Sequence, residues 1–263
     1  MDSYTSRWKP PLPDLLAGAL ALLMLCGLTA TAVDLPLTAI TVAMTVYIAI
    51  GSIAYTGWRR SHEPAGAFGW ANRVTLLRAL LTCWLAALLP YPELMATLIW
   101  PYVIISLVNL ILDGVDGGIA RITRSTSAFG ARFDMELDAF FLLVLCGALL
   151  SLDKTGAWVL ALGLLRYGFL MASAIWPWLQ RPLPDSFRRK TVCVWQGATL
   201  LIALAPFTGS AFASLILAVA VSLLIYSFGA DTWWLFRQRT VKPGFGAEPG
   251  LYPTSRRPGN SGL

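Results

Sequence analysis

The chain has 263 residues and a formal net charge of +6; 57% of its residues are hydrophobic and only 13% are charged. A soluble globular domain carries about a quarter charged residues, so this composition excludes an ordinary water-exposed fold. The positive charge sits in loops between apolar runs, which fits the orientation of a membrane protein rather than a nucleic-acid surface.

Three runs, 15–33, 35–58 and 94–112, hold no charged residue at all, and each is about the 20 residues a helix needs to cross a bilayer. In chain order, the apolar pattern and the turn formers between runs predict eight membrane helices. They cover 12–33, 35–58, 72–90, 94–122, 131–151, 155–178, 188–207 and 211–236. The breaks fall at Asp34 and Pro36, Pro90 and Pro92, Asp153 to Gly156, Pro177 to Pro184, and Pro206 to Ser210. The fold class expected is an all-α integral membrane protein. Residues 1–60 form two extra N-terminal helices, 61–71 a juxtamembrane segment, 72–238 a six-helix unit, and 239–263 a Gly-, Pro- and Ser-rich tail expected to be disordered. Residues 61–70 suit either a surface-lying segment or a plain linker.

The basic residues alternate from loop to loop. Arg7 and Lys9 precede the first helix, and Arg59, Arg60 and Arg73 follow the second. Arg121, Arg124 and Arg132 follow the fourth, Arg181, Arg188, Arg189 and Lys190 the sixth, and Arg237, Arg239, Lys242, Arg256 and Arg257 the eighth. The intervening loops hold only Lys154. This pattern predicts a multi-pass protein of the inner (cytoplasmic) membrane with both termini cytoplasmic. Arg7, Lys9 and the Ala30-Thr31-Ala32 end of the first run resemble a secretory leader. The run is long enough to span and another span follows at once, so a retained helix is expected. Cys26, Cys83, Cys146 and Cys193 lie in apolar segments without a CxxC pair and read as small hydrophobes. His62 is the only histidine and cannot build a histidine metal site by itself.

Four of the ten aspartates fall between residues 112 and 140, in LDGVDGGIARITRSTSAFGARFDMELDAF. Asp113 and Asp116 are three apart, and Asp134 and Asp138 four apart, so each pair shares a helix face. The two helices are neighbours across a short connection, so the pairs can meet. Four carboxylates brought together repel unless cations lie between them, and hard ions such as Mg²⁺ or Mn²⁺ favour such oxygen ligands together with phosphate oxygens. Glu136 points off that face. Gly117 and Ala120 open room beside the carboxylates, Arg121 offers a fixed charge for phosphate, Gly130 lies one turn before Asp134, and Ser127 can donate a hydrogen bond nearby. One such pair alone can simply cap or solvate a helix end.

This window resembles the signature of the CDP-alcohol phosphatidyltransferase family, DxxDGxxAR, eight residues, then GxxxDxxxD, without a mismatch at Asp113, Asp116, Gly117, Ala120, Arg121, Gly130, Asp134 and Asp138. Residues 72–80, NRVTLLRAL, are similar to the family's PN-x-(L/V)-T-x-x-R segment, with Ala71 in place of the proline. The resemblance covers about residues 70 to 236. It implies that the four aspartates bind one or two Mg²⁺ or Mn²⁺ ions and that Gly117, Ala120, Arg121, Ser127 and Gly130, with Asn72 and Thr75, line the CDP moiety. It implies Asp138 as general base in transfer of a phosphatidyl group from CDP-diacylglycerol to a small polar alcohol, with release of CMP, and it implies a homodimer.

Arg166 lies well inside a predicted span, where an arginine is costly and commonly faces a functional cavity. With Arg188, Arg189 and Lys190 it is the candidate acceptor site, glycerol 3-phosphate being the first choice because extra cations suit its phosphate. A salt bridge for Arg166 and simple membrane anchoring for the other three are the plainer readings. The segment RRKTVCVWQ is loosely similar to the Lys-Thr-x-x-Gln element of phosphatidylglycerophosphate synthases, with Gln196 two residues farther along. Two other functions compete: a choline- or ethanolamine-type phosphotransferase sharing the signature, and a metal-ion transporter, whose sites lie near the bilayer midplane rather than at one face.

Overall fold

The computed structural model describes residues 11–60, 70–122, 128–181, 183 and 186–238, with backbone alone at 70, 71, 115–122 and 128. Among them every regular element is helical: α1 (Leu12–Ala32), α2 (Leu37–Arg60), α3 (Trp70–Ala87), α4 (Pro92–Thr97), α5 (Ile99–Ile122), α6 (Ala128–Ser151), α7 (Ala161–Ile175), α8 (Phe187–Leu204) and α9 (Ser210–Gln238). Short 3₁₀ turns, Ala157–Leu160 and Pro177–Gln180, flank α7. Among the described residues four helical stretches, against the eight spans expected, are long and apolar enough to cross a membrane: Leu12–Ala32, Leu37–Arg60, Ala157–Ile175 and Ser210–Gln238. Large apolar side chains such as Met24, Leu28, Ile53, Met171 and Ile175 point outward, as expected where the surrounding solvent is lipid.

Several boundaries depart from the expected spans by a few residues, and two of the departures follow from proline. The run expected at 94–122 is divided into α4 and α5 at Leu98. Pro101 has no N–H to donate to the Thr97 carbonyl and its ring crowds that oxygen, so one continuous helix cannot form there. At the end of α7, Trp176 is extended (φ −114°, ψ 94°), the conformation a following proline imposes. Residues 61–69 and 239–263 of the expected linker and tail, with His62, lie outside the described residues.

Helix α3 is the central post. It packs against α1, α2, α5 and α6 and buries Leu76, Ala79, Leu80, Cys83, Trp84 and Leu85. Such extensive burial favours a largely apolar helix, which makes its few polar residues conspicuous. The N-terminal hairpin clamps it: Arg73 pairs with Asp14 at 3.0 Å, and Trp84 Nε1 donates to Thr29 Oγ1 at 3.0 Å. These two contacts advance together along both helices, so α1 and α3 run parallel and α2 returns between them. Within the hairpin, the Tyr47 hydroxyl donates to the Leu15 carbonyl at 3.0 Å. At the opposite end of the bundle from Arg73, Lys154 Nζ donates to the carbonyls of Ala203 and Leu204 (3.1 Å each) and Ala205 (2.6 Å). A cation on the carbonyl end of α8 is favourable, although burial pulls the Lys154 amine below its usual range.

Helices α6 and α7 cross at Gly163, where an added Cβ would lie 2.8 Å from the Leu143 Cα. Alanine is a better helix former than glycine by about 1 kcal/mol, whereas overpacking against backbone costs about 1–3 kcal/mol. Gly163→Ala is therefore expected to lower the thermal midpoint of the detergent-solubilised protein; a raised midpoint would show that the helices do not touch there.

Candidate functional site

Along α3, Asn72, Thr75, Arg78 and Thr82 recur at helical spacing, forming one polar stripe on an otherwise apolar helix. Thr75, Arg78 and Thr82 are buried. Thr82 Oγ1 donates to the Arg78 carbonyl at 2.8 Å and accepts from Asn109 Nδ2 of α5 at 2.8 Å, so the backbone that carries Arg78 is tied to the helix that carries Asp113.

The Arg78 side chain is only 1% exposed. Its guanidinium gathers three carboxylates from two other helices. Nη2 lies 2.9 Å from Asp113 Oδ1 in the C-terminal half of α5, and Nη1 donates to Asp134 Oδ1 at 2.5 Å near the start of α6. Nη2 also bonds Asp138 Oδ1 one turn on. Carboxylate oxygens of Asp113, Asp134 and Asp138 all lie within 4.8 Å of one another. A planar, permanently charged fork suits several carboxylates at once, and without it three like charges at this spacing would repel strongly. Each aspartate side chain remains about one-third exposed (34%, 33% and 28%), and the contacts named to Arg78 use one oxygen of each.

Beside the cluster lies a cavity of about 220 Å³. Arg78, Asp113 and Asp138 form its polar wall, and Leu110, Phe141, Leu142 and Val194 its apolar wall. Gly197 of α8 meets the Leu110 side chain closely, at 2.8 Å from an added Cβ, which draws α8 in against α5. Three hard oxygen donors, close together and partly open to a cavity, fit a divalent ion such as Mg²⁺ or Mn²⁺.

The spacing argument is met in part: Asp134 and Asp138 share a face of α6, and Asp113 joins them. The side chains of Asp116, Gly117, Ala120, Arg121 and Ser127 lie outside the described residues. Gly130 is one turn before Asp134 in α6, and Asn72 and Thr75 lie on the Arg78 stripe. The candidate acceptor cations are engaged elsewhere. Arg166 Nη2 donates to Glu136 Oε1 at 2.6 Å, on the side of α6 turned from the aspartates. Arg188 Nη2 donates to Asp231 Oδ1 of α9 at 2.5 Å and its Nη1 to the Ser227 carbonyl at 3.0 Å. Arg189 reaches the same carboxylate at 3.4 Å, and Lys190 is exposed. Cys193 lies on the cavity wall.

Sequence reasoning left Arg78 without a role, although it sits in the recognised segment. The available signal was its isolation in VTLLRALLTCW, since a charge deep in an apolar helix needs a partner. Asp231, the partner of Arg188 and Arg189, was also missed.

The pattern of the CDP-alcohol phosphatidyltransferase family matches residues 68–226, from just before α3 into α9. Arg78 and the three aspartates fall within it, and α1 and α2 precede it. No curated protein and no solved structure shows significant similarity to the chain.

Arg78→Met keeps the bulk of the side chain and removes its charge. Removing one partner of a buried ionic cluster costs about 3–5 kcal/mol, and partial exposure of the carboxylates places the expected loss near the lower figure. In thermal unfolding with a chelator the variant should melt well below wild type, and Mg²⁺ should raise its midpoint by more than it raises that of wild type. Equal shifts in the two proteins would show that Arg78 and the ion do not share these carboxylates.

Proposed function

Because this chain belongs to the CDP-alcohol phosphatidyltransferase family, and is accordingly a multi-pass membrane phosphotransferase, we propose that it moves the phosphatidyl group of CDP-diacylglycerol to a small polar alcohol, glycerol 3-phosphate first, with release of CMP. The observation that carries this reading is the convergence of Asp113, Asp134 and Asp138 from α5 and α6 around buried Arg78, beside a cavity with one polar and one apolar wall.

In this reading the apolar helices keep the donor's acyl chains in lipid while its pyrophosphate reaches the carboxylates. Asp138 lines the cavity, and Arg78 takes its Oδ1, so Oδ2 is left to accept the proton of the acceptor hydroxyl. The acceptor oxygen then bonds to the β-phosphorus of the donor. The bond from that phosphorus to the bridging oxygen breaks, and CMP departs with the oxygen and its electrons. Arg78 keeps Asp113, Asp134 and Asp138 aimed at one point, a positioning role that costs no reorganisation during reaction. Asn72, Thr75, Gly117, Ala120, Arg121, Ser127 and Gly130 bind the CDP moiety. One or two Mg²⁺ or Mn²⁺ ions, held by Asp113, Asp116, Asp134 and Asp138, would offset negative charge on the diphosphate oxygens.

The acceptor site is assigned to Arg166 with Arg188, Arg189 and Lys190. To serve there Arg166 would exchange its ion pair with Glu136 for the acceptor's phosphate, and the other three would form the basic entrance at the start of α8. Residues 72–238 form a six-helix catalytic unit, 1–60 two added spans, 61–71 a connecting segment and 239–263 a cytoplasmic tail. The enzyme works as a homodimer in the inner membrane with both termini and the active site cytoplasmic, in keeping with the loop charges.

The deciding experiment supplies CDP-diacylglycerol, CDP-choline and CDP-ethanolamine in turn, with a panel of alcohols and diacylglycerol, and identifies the lipid product by mass. CMP release from CDP-diacylglycerol that depends on glycerol 3-phosphate and a divalent ion is expected. Asp138→Asn should lower kcat by about 10²–10⁴-fold, the usual contribution of a positioned base, in a protein that still folds because Asp113 and Asp134 remain on Arg78. Product formation only from CDP-choline or CDP-ethanolamine would replace the donor assignment, and full activity in Asp138→Asn would remove Asp138 as base.

A further inference from the structure

Helices α1 and α2 lie outside the stretch that carries the family pattern, yet they touch α3 and α6 at the ends that bear residues assigned above to the CDP moiety. On α3, Arg73 pairs with Asp14 of α1 at 3.0 Å; Arg73 is the neighbour of Asn72 and about half a turn from Thr75. On α6, the Phe129 ring faces Gly57 near the end of α2, and an added Cβ there would meet the ring at 2.8 Å. Phe129 is the neighbour of Gly130. It stacks on Phe133, the neighbour of Asp134, with centroids 5.9 Å apart and planes 6° from parallel.

Neither contact can slide freely. The Tyr47 hydroxyl of α2 donates to the Leu15 carbonyl beside Asp14, and Gly18 leaves room for that hydroxyl. The start of α1 is thereby fixed in height and rotation on α2, while Trp84 holds its far end through Thr29. Phe133 is buried, so the Phe129 ring cannot retreat from α2 without displacing it or leaving the stack. Farther along, α2 and α6 part around a second cavity of about 360 Å³, with Ile50 and Ile53 on one side and Leu137 and Phe140 on the other. The push of α2 therefore falls on the first turns of α6, at the level of Gly130, whereas Asp138 lies about two and a half turns beyond Phe129.

We propose that this N-terminal hairpin braces the nucleotide end of the site, with Gly57 and Asp14 as positioning residues. Gly57 sets the start of α6 through Phe129, and Asp14 sets the start of α3 through Arg73. Together they fix the spacing between Gly130 and Asn72 that the CDP moiety spans, so the inference rests on that assignment of the two residues. The brace governs binding of the donor rather than the chemical step. Arg78 and the three aspartates are held by their own contacts, and α3 is tied to α5 through Thr82 and Asn109, so a loosened hairpin leaves the reacting centre in place. A hairpin that served only to keep the protein folded would, when weakened, reduce the amount of active enzyme and leave KM unaltered.

The test uses the full chain in detergent and measures KM and kcat for CMP release from CDP-diacylglycerol, together with donor affinity in the absence of acceptor. Gly57→Leu should raise KM about tenfold with kcat little changed, as fits a shift well under the 1 Å that can cost about a hundredfold. Asp14→Asn removes a partly exposed pair, so the rise should be about two- to fivefold, and Asp14→Glu should restore the wild-type value. In a Phe129→Ala background, which has room for the larger side chain, Gly57→Leu should raise KM no further. Should Gly57→Leu not fold, Asp14→Asn carries the test alone. Unchanged KM in the variants of an active wild type would overturn the inference, as would a fall in kcat at constant KM or a full additional rise in the Phe129→Ala background. Wild type that neither binds nor turns over CDP-diacylglycerol would remove the functional reading itself, and this inference with it.

Discussion

Three carboxylates on one buried guanidinium set the terms for the rest of this structure. A single arginine on α3 can hold aspartates from α5 and α6 only if all three helices meet at that level and in that rotation. The cluster cannot be assembled piecemeal, because any two of its aspartates without Arg78 repel. The interior must therefore keep α3 immobile. It does so by burying most of α3, clamping its two ends to α1 through Asp14 and Thr29, and tying its backbone to α5 through Thr82 and Asn109. The apolar core and the charged site are two parts of one construction. The core fixes the arginine, and the arginine fixes the carboxylates, of which Asp113 and Asp138 line the cavity.

The division of labour around α6 follows from the same geometry. Its aspartate face turns to Arg78 and the first cavity, and its Glu136 face turns to Arg166 and the second. An ion pair on the back of the helix and an ionic cluster on the front leave α6 little freedom to rotate about its axis, since a turn that relieved one would break the other. The close crossing at Gly163 restricts its movement against α7 as well.

Much of this was legible in the sequence where chemistry is written in local spacing. The four-residue interval between Asp134 and Asp138 put that pair on one face, and the placement of Glu136 off that face was also local. What could not be read was partnership at long range. Arg78 is 56 positions from Asp134, and nothing in its own neighbourhood says which acids it will meet. Arg188 and Arg189 read as free cations because Asp231, 43 positions from Arg188, lies on another helix. The helix boundaries departed from expectation at Pro101 and Pro177, where a missing N–H or a restricted preceding residue outweighed a continuous apolar run. Even so, the all-helical, membrane-spanning character was plain, and four of the expected runs are long and apolar enough to span, because membrane-length hydrophobicity is a property of composition over about 20 residues and needs no knowledge of contacts.

The central claim is that these carboxylates hold a divalent ion in contact with a lipid-tethered pyrophosphate. Pulsed electron paramagnetic resonance of the full chain loaded with Mn²⁺ tests it most directly, with and without CDP-diacylglycerol. The account predicts a tightly bound ion whose spectrum gains a phosphorus hyperfine coupling of inner-sphere size when the nucleotide lipid is added, and loss of bound Mn²⁺ in Asp113→Asn and Asp134→Asn. Failure of wild type to bind Mn²⁺, or a bound ion that shows no phosphorus coupling with the lipid present, would contradict it.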